Sequence, residues 1–194
     1  MDEPLLHDQY RIPSNRLPGY NYGQSGAYFV TICTHQRQPY FGTIEVPRND
    51  WDAAFLRPTP LGVKASEYWD AIPQFAPFVR LDAFVLMPDH LHGVLLFDKD
   101  EPDGADEETR SVASLLAYEN RFGPQSRNLA SVLRGFKSAV TTYARHHQLT
   151  FQWQARFHDR VVRSEAELEK IRSYIVTNPT RWAKEYDNGE GLYR

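Results

Sequence analysis

Val85-Leu86-Met87-Pro88-Asp89-His90-Leu91-His92-Gly93-Val94-Leu95-Leu96-Phe97 is the stretch on which the reading of this chain turns. Apolar runs flank Pro88-Asp89 on both sides, so the segment reads as two strands joined by a tight turn and paired antiparallel. In a strand, side chains at i and i+2 point to one face. His90 and His92 therefore project together, while Leu91 turns the other way into a core. Two imidazoles side by side on a rigid strand are a sensible donor pair for a metal. Ordinary surface or hydrogen-bonded histidines give the same pattern, and an HxH alone does not choose between the two.

Working outward, residues 78–87 and 90–97 are the second and third main strands. Upstream, residues 27–35 (AYFVTICTH) are β-branched and aromatic and read as the first. Residues 36–39 make a turn, and 40–46 return as a short strand to complete a hairpin. Residues 47–58 read as an irregular insertion. Thr59 caps a helix with Pro60 at its first position. That helix runs to about residue 72, with Leu61, Ala65, Tyr68, Trp69 and Ile72 as its apolar stripe.

Downstream, Asn128 caps a helix over 129–147, with Val132, Leu133, Phe136, Val140 and Tyr143 on its apolar side. Residues 156–163 alternate as a fourth main strand. Ser164 and Glu167 form a capping box. The helix they open runs to about residue 177 and stops before Asn178-Pro179, because proline disfavours helix at the residue preceding it. A short helical turn over 180–186 follows.

The order is β-(β)-α-β-β-α-β-α, with a βαββαβ core. That predicts an α+β, ferredoxin-like sandwich with an antiparallel sheet. Strands one and three lie in the middle of such a sheet, so the double-histidine strand is central. An additional C-terminal helix, which carries Tyr174, packs across the sheet or the helical layer.

A chain of 194 residues supports one well-cored domain. Residues 1–194 are read as that single domain, with a Pro- and Gly-punctuated N-terminal arm over 1–26. The single cysteine, Cys33, excludes an internal disulfide and belongs in the core. The N-terminal residues lack a basic stretch followed by an apolar one, and no apolar run reaches membrane-spanning length. The expectation is a cytoplasmic protein with no membrane partner.

Net charge is slightly negative, which argues weakly against nucleic acid, but the average hides an asymmetry. Residues 98–108 hold seven acids and one lysine. Residues 98–126 therefore read as a mobile acidic connection, with a short helical piece over 112–118. Residues 127–163 hold Arg127, Arg134, Lys137, Arg145, Arg156, Arg160 and Arg163 against a single acid, Asp159. An ordinary solvated surface gives such a pattern, but its concentration favours a phosphate-binding face. On the last long helix, Tyr174 and Asn178 stand four apart and share a face. A tyrosine there is commonly core filler, and an asparagine before proline is commonly a cap or turn residue. Spacing alone does not join this helix to the histidines.

Taken in order, several short pieces resemble the REP-associated tyrosine transposases, within the single-tyrosine HUH transposases. They are Arg16-Leu17-Pro18-Gly19-Tyr20-Asn21-Tyr22, Gly26-Ala27-Tyr28-Phe29-Val30-Thr31-Ile32-Cys33-Thr34, Tyr40-Phe41-Gly42 and Met87-Pro88-Asp89-His90-Leu91-His92-Gly93. Phe136-Lys137-Ser138, Trp153-Gln154, Ile171-Arg172-Ser173-Tyr174-Ile175 and Asn178-Pro179 follow. Each piece is weak, whereas the ordered set is specific and covers nearly the whole chain. The resemblance implies that His90 and His92 bind a divalent metal, Mg2+ or Mn2+. It implies that Tyr174 is the nucleophile and that Asn178 completes the metal site. It further implies cleavage and joining of single-stranded or hairpin DNA of the REP type through a 5′-phosphotyrosine. The chain would then act with Tyr174 in cis or, as a homodimer, in trans. The family pattern has asparagine where Asp89 stands, so the role of Asp89 is open.

Arg11, Arg16, Arg134, Lys137, Arg156 and Arg160 are the expected DNA contacts. Tyr20, Tyr22, Trp153 and Phe157 are candidates for base stacking, against core packing. Two rivals stand beside this reading. One is a metal-dependent hydrolase using the HxH pair and a water, although no HExxH or CxxC supplies further ligands. The other is a module that binds hairpin nucleic acid without cutting it.

Overall fold

A computed structural model describes Tyr22, residues 24–99 and residues 127–187. Most of the N-terminal arm, with Arg11 and Arg16, lies outside the described residues. So do most of the acidic connection and the helical piece expected over 112–118.

The main sheet has four strands: β1 (Gly26–Cys33), β4 (Val79–Leu86), β5 (His90–Phe97) and β6 (His158–Val162), in the order β4-β5-β1-β6. All three pairings are antiparallel. The first and third main strands are therefore central, as the sequence order predicts. Two short strands, β2 (Gly42–Glu45) and β3 (Phe55–Pro58), pair with each other in a separate ribbon. This corrects the expected hairpin between 27–35 and 40–46. The chain leaves β1 through consecutive left-handed residues, Gln36 (φ 51°) and Arg37 (φ 55°), and does not fold back onto it.

Among the described residues the α-helices are α1 (Pro60–Asp70), α2 (Ile72–Phe75), α3 (Leu129–His146), α4 (Glu165–Val176) and α5 (Asn178–Asp187). Their starts follow side-chain chemistry. Thr59 Oγ1 accepts the Gly62 amide at 3.1 Å, and Asn128 Oδ1 accepts the Ser131 amide at 2.9 Å. Ser164 Oγ accepts the Glu167 amide at 3.2 Å, but the Glu167 carboxylate turns back to the Arg163 amide rather than to Ser164. As expected, α1 ends before Pro73 and α4 ends before Asn178-Pro179, but the chain resumes as helix at each proline. Each sits in the first turn of a new one, where its missing N–H is not needed. The short turn expected over 180–186 is therefore a ten-residue helix that begins at Asn178.

The pleat divides the sheet's side chains between two cores. Tyr28, Val30 and Ile32 of β1 and Leu91 and Leu95 of β5 are fully buried under α1 and α3, with Trp69, Leu133, Phe136 and Val140. Such a residue contributes about 1.5–3 kcal/mol when fully buried. On the opposite face, Val94 packs with Leu168, Ile171 and Ile175 of α4, flanked by Phe29, Val85 and Tyr174. His90 and His92 share this second face, so the tyrosine helix lies on the histidine side of the sheet.

Two contacts fix the layers. Gly93 lies against Trp69, and a Cβ there would fall 2.2 Å from Trp69 Cζ2. A register irregularity between Leu81 and Phe84 interrupts β4 and presents Asp82 to α4. There the Arg172 guanidinium donates from Nε to Oδ1 at 2.9 Å and from Nη2 to Oδ2 at 2.7 Å. This fork holds the Asp82 carboxyl below its usual pKa. It ties the helix to the sheet two residues before Tyr174.

Candidate metal and nucleophile site

The strand β5 starts at His90, so both histidines project from the first residues after the Pro88-Asp89 turn. Both are 5% exposed. Their Nε2 atoms face each other at 3.1 Å. Each ring is held from behind at Nδ1. His90 Nδ1 donates to Asp89 Oδ1 at 2.6 Å, and His92 Nδ1 pairs with Thr31 Oγ1 at 2.8 Å. Thr31 is the register partner of His92 on β1, which explains its place. Phe29 stacks on the His92 ring with centroids 5.5 Å apart.

Asp89 is buried and accepts from two sides. Besides His90, Arg37 Nε meets its Oδ2 at 2.9 Å. The left-handed turn through Gln36 and Arg37 carries that guanidinium to the carboxylate. Its second arm, Nη1, donates to Cys33 Sγ at 3.0 Å. Burial pushes the Cys33 thiol pKa up.

Burial also lowers the pKa of His90, against the pull of the Asp89 carboxylate. The Asp89–His90 contact is therefore a neutral N–H donating to a carboxylate rather than an ion pair at neutral pH. His92 is pushed down to about 3, chiefly by burial, with His90 and Arg37 adding to the effect. Both imidazoles are neutral near pH 7, the form that ligates metals.

Tyr174 comes to the pair from the last full turn of α4. Its hydroxyl lies 3.3 Å from His92 Nε2, with the rings edge-on at 5.1 Å. Asn178, one turn further on, is 7% exposed, and its amide hydrogen-bonds to no other described residue. Two residues outside the expected set border the same space. Arg181 places its guanidinium carbon 5.2 Å from the Tyr174 ring centroid, and Trp182 lies 5.7 Å from His90 between ring centroids.

Among the described residues, no group of three or more His, Cys, Asp and Glu is arranged to hold a metal. The donors brought together are the two imidazoles of His90 and His92, to which the Asn178 side chain makes no hydrogen bond. They fit a divalent ion that keeps open positions. Two Nε2 lone pairs 3.1 Å apart repel unless a proton or a cation lies between them. Metal–nitrogen bonds of about 2.1 Å put adjacent ligands of an octahedral ion roughly 3.0 Å apart. The carboxylate behind His90 fixes the ring so that Nε2 faces inward, as such partners do for metal-ligating histidines.

The expected DNA contacts are scattered. Arg160 of β6 is the register partner of Phe29, so it stands on the histidine face, where it pairs with Glu167 at 2.6 Å. Arg156 is exposed in the bend before β6, with φ 68°. Arg134 and Lys137 belong to α3, which covers the opposite face. Lys137 is engaged structurally, since its ammonium donates to the carbonyls of Gln154 and Arg156 at 2.9 and 3.1 Å. Trp153 is buried in the core and Phe157 packs against it.

Among solved structures, a REP-associated tyrosine transposase bound to a REP hairpin superimposes with a TM-score of 0.50 and 15% identity. The alignment covers 84% of this chain and 71% of that one. The chain thus has the α+β fold of a REP-associated tyrosine transposase, built on a four-stranded antiparallel sheet. In sequence it is 32% identical over 176 residues to an uncharacterized protein of Haemophilus influenzae, covering 89% of this chain and 90% of that one. It belongs to one family with that protein. No family model matches the chain. Among the described residues, no helix is long and apolar enough to cross a membrane.

Proposed function

We propose that this chain is a metal-dependent endonuclease and strand transferase for single-stranded DNA, working on REP-like hairpins through a covalent 5′-phosphotyrosine. The scaffold reads as ferredoxin-like, with the nucleophile on the added helix. The observation that carries the proposal is the Tyr174 hydroxyl 3.3 Å from His92 Nε2, across 82 residues of sequence. A phenol and a metal-ligand pair meeting at one nitrogen suit phosphodiester transfer better than they suit packing.

His90, His92 and Asn178 would hold Mg2+ or Mn2+. When bound, the ion supplies a Lewis acid for a non-bridging phosphate oxygen and for the developing charge. The residues of the chain do the rest. Asp89 and Thr31 fix the two ring orientations. Phe29 and Tyr174 hold His92 between them. Tyr174 loses its proton, its oxygen bonds to phosphorus, and the phosphorus–O3′ bond breaks to leave a 3′-hydroxyl after protonation. The phosphotyrosine conserves the bond, so the 3′-hydroxyl of another strand can reverse the step without nucleotide hydrolysis.

Labelled single-stranded REP-like hairpin DNA and manganese provide the test. The expected result is a protein–DNA adduct on a denaturing gel that Tyr174→Phe abolishes. Cleavage that survives Tyr174→Phe without an adduct points to a hydrolase. Binding without cleavage points to a recognition module. Either outcome overturns the proposal.

A further inference from the structure

We infer that Arg181 and Trp182 form a nucleotide subsite beside Tyr174, the indole stacking on a base of single-stranded DNA and the guanidinium binding a backbone phosphate. The inference rests on the strand-transfer reading of the site. It starts from helix geometry. Asn178, Arg181 and Trp182 stand at i, i+3 and i+4, and so share one face of α5.

Trp182 is half-buried, yet it belongs to neither hydrophobic core. A tryptophan is the side chain with most to gain from core burial. This one instead lies beside the buried imidazole of His90, its plane tilted 32° from that ring at 5.7 Å. A flat, partly open indole at the edge of a site is suited to stacking, because every base presents a π face.

Arg181 is exposed and pairs with no carboxylate among the described residues. It sits over the Tyr174 ring. A phosphate presented to the Tyr174 hydroxyl comes within reach of that guanidinium, which is matched to phosphate oxygens. The base attached to that phosphate then lies at the flank of the histidine pair, where the indole stands. The two side chains thus divide one nucleotide between them. Neither contact reads a base edge, so the subsite contributes grip and position rather than sequence preference.

The test uses the full chain and a fluorescein-labelled pool of random single-stranded 20-mers, followed by anisotropy with manganese present. Trp182→Leu keeps apolar bulk but removes the stacking plane, and is expected to weaken binding at least about fivefold. Trp182→Phe restores most of the affinity. Arg181→Ala is expected to lower the slope of log affinity against log salt by roughly 0.7, the share of one single-strand phosphate. Ultraviolet crosslinking of a pool carrying 5-iodouracil is expected to label the peptide that contains Trp182. Unchanged affinity in Trp182→Leu, or crosslinks only elsewhere, overturns the subsite while leaving the Tyr174 adduct intact. A wild-type chain that does not bind the pool overturns the DNA reading, and the subsite with it.

Discussion

Gly93→Ala tests whether the strand that carries the histidines is positioned by the core beneath it. The added Cβ would lie 2.2 Å from Cζ2, 2.6 Å from Cη2 and 3.1 Å from Cε2 of Trp69. Non-bonded carbons settle at about 3.5–4.0 Å, so indole or strand must retreat by more than 1 Å. The indole has nowhere to go. It stacks on Phe84 at 4.9 Å and meets the Phe136 ring edge-on at 5.5 Å. Overpacking of this kind costs about 1–3 kcal/mol, and the closeness of the contact puts Gly93→Ala near the upper end. For a chain of this size that is a fall in Tm of roughly 6–12 °C. A displaced β5 also moves His92, so manganese affinity falls with stability. Trp69→Phe removes the clashing six-membered ring, so its double mutant with Gly93→Ala is less destabilised than the two single changes summed. Urea and thermal unfolding of the four proteins measure this cycle. If Gly93→Ala melts with the wild type, or the two changes are additive, the reasoning is wrong.

Two further predictions concern the donors. Asp89→Asn leaves a hydrogen-bond acceptor beside His90 but removes the partner of Arg37, and is expected to weaken manganese binding about 10–100-fold. Calorimetric titration measures it, and an unchanged affinity removes Asp89 from the metal argument. The histidines also make the metal-free protein acid-sensitive. Their folded pKa values are depressed, His92 to about 3, so the unfolded chain binds more protons between that value and the ordinary histidine range. Stability is complete above about pH 6.5 and is lost as pH falls, by up to roughly 1.4 kcal/mol per pH unit for each histidine. Denaturant unfolding at pH 7 and pH 5 checks the sign, and a protein equally stable at both refutes it.

Period and punctuation reveal much of this fold. The alternation in residues 85–97 places His90 and His92 on one face, and the caps at Thr59, Asn128 and Ser164 mark helix starts. What stayed hidden depends on register and on long-range contact. Thr31 reaches His92 only because β1 pairs with β5 in one register out of several that its apolar pattern allows. Arg37 reaches Asp89 through two left-handed residues that no glycine announces. The Asn178-Pro179 pair marks the stop of the Tyr174 helix, and its proline is also in the first turn of the next. The helical turn expected over 180–186 includes Arg181 and Trp182, but the helix begins two residues earlier and so puts Asn178 on their face. The resemblance joined Tyr174 to the histidines in expectation, and the 3.3 Å contact joins them in space.

A single residue, Thr177, separates the helix of Tyr174 from the helix of Asn178, Arg181 and Trp182. Hydrogen bonding runs through this joint. The Thr177 amide reaches the Ser173 carbonyl at 3.0 Å, and the Arg181 amide reaches the Thr177 carbonyl at 3.0 Å. Tyr174 and the Arg181–Trp182 pair therefore sit on one hydrogen-bonded joint, which the Arg172–Asp82 pair ties to the sheet. Once a DNA end is bonded to Tyr174, it travels with whatever holds its base. On the proposed function, a swing of the Tyr174 helix that carries the end to a partner strand would also separate Arg172 from Asp82.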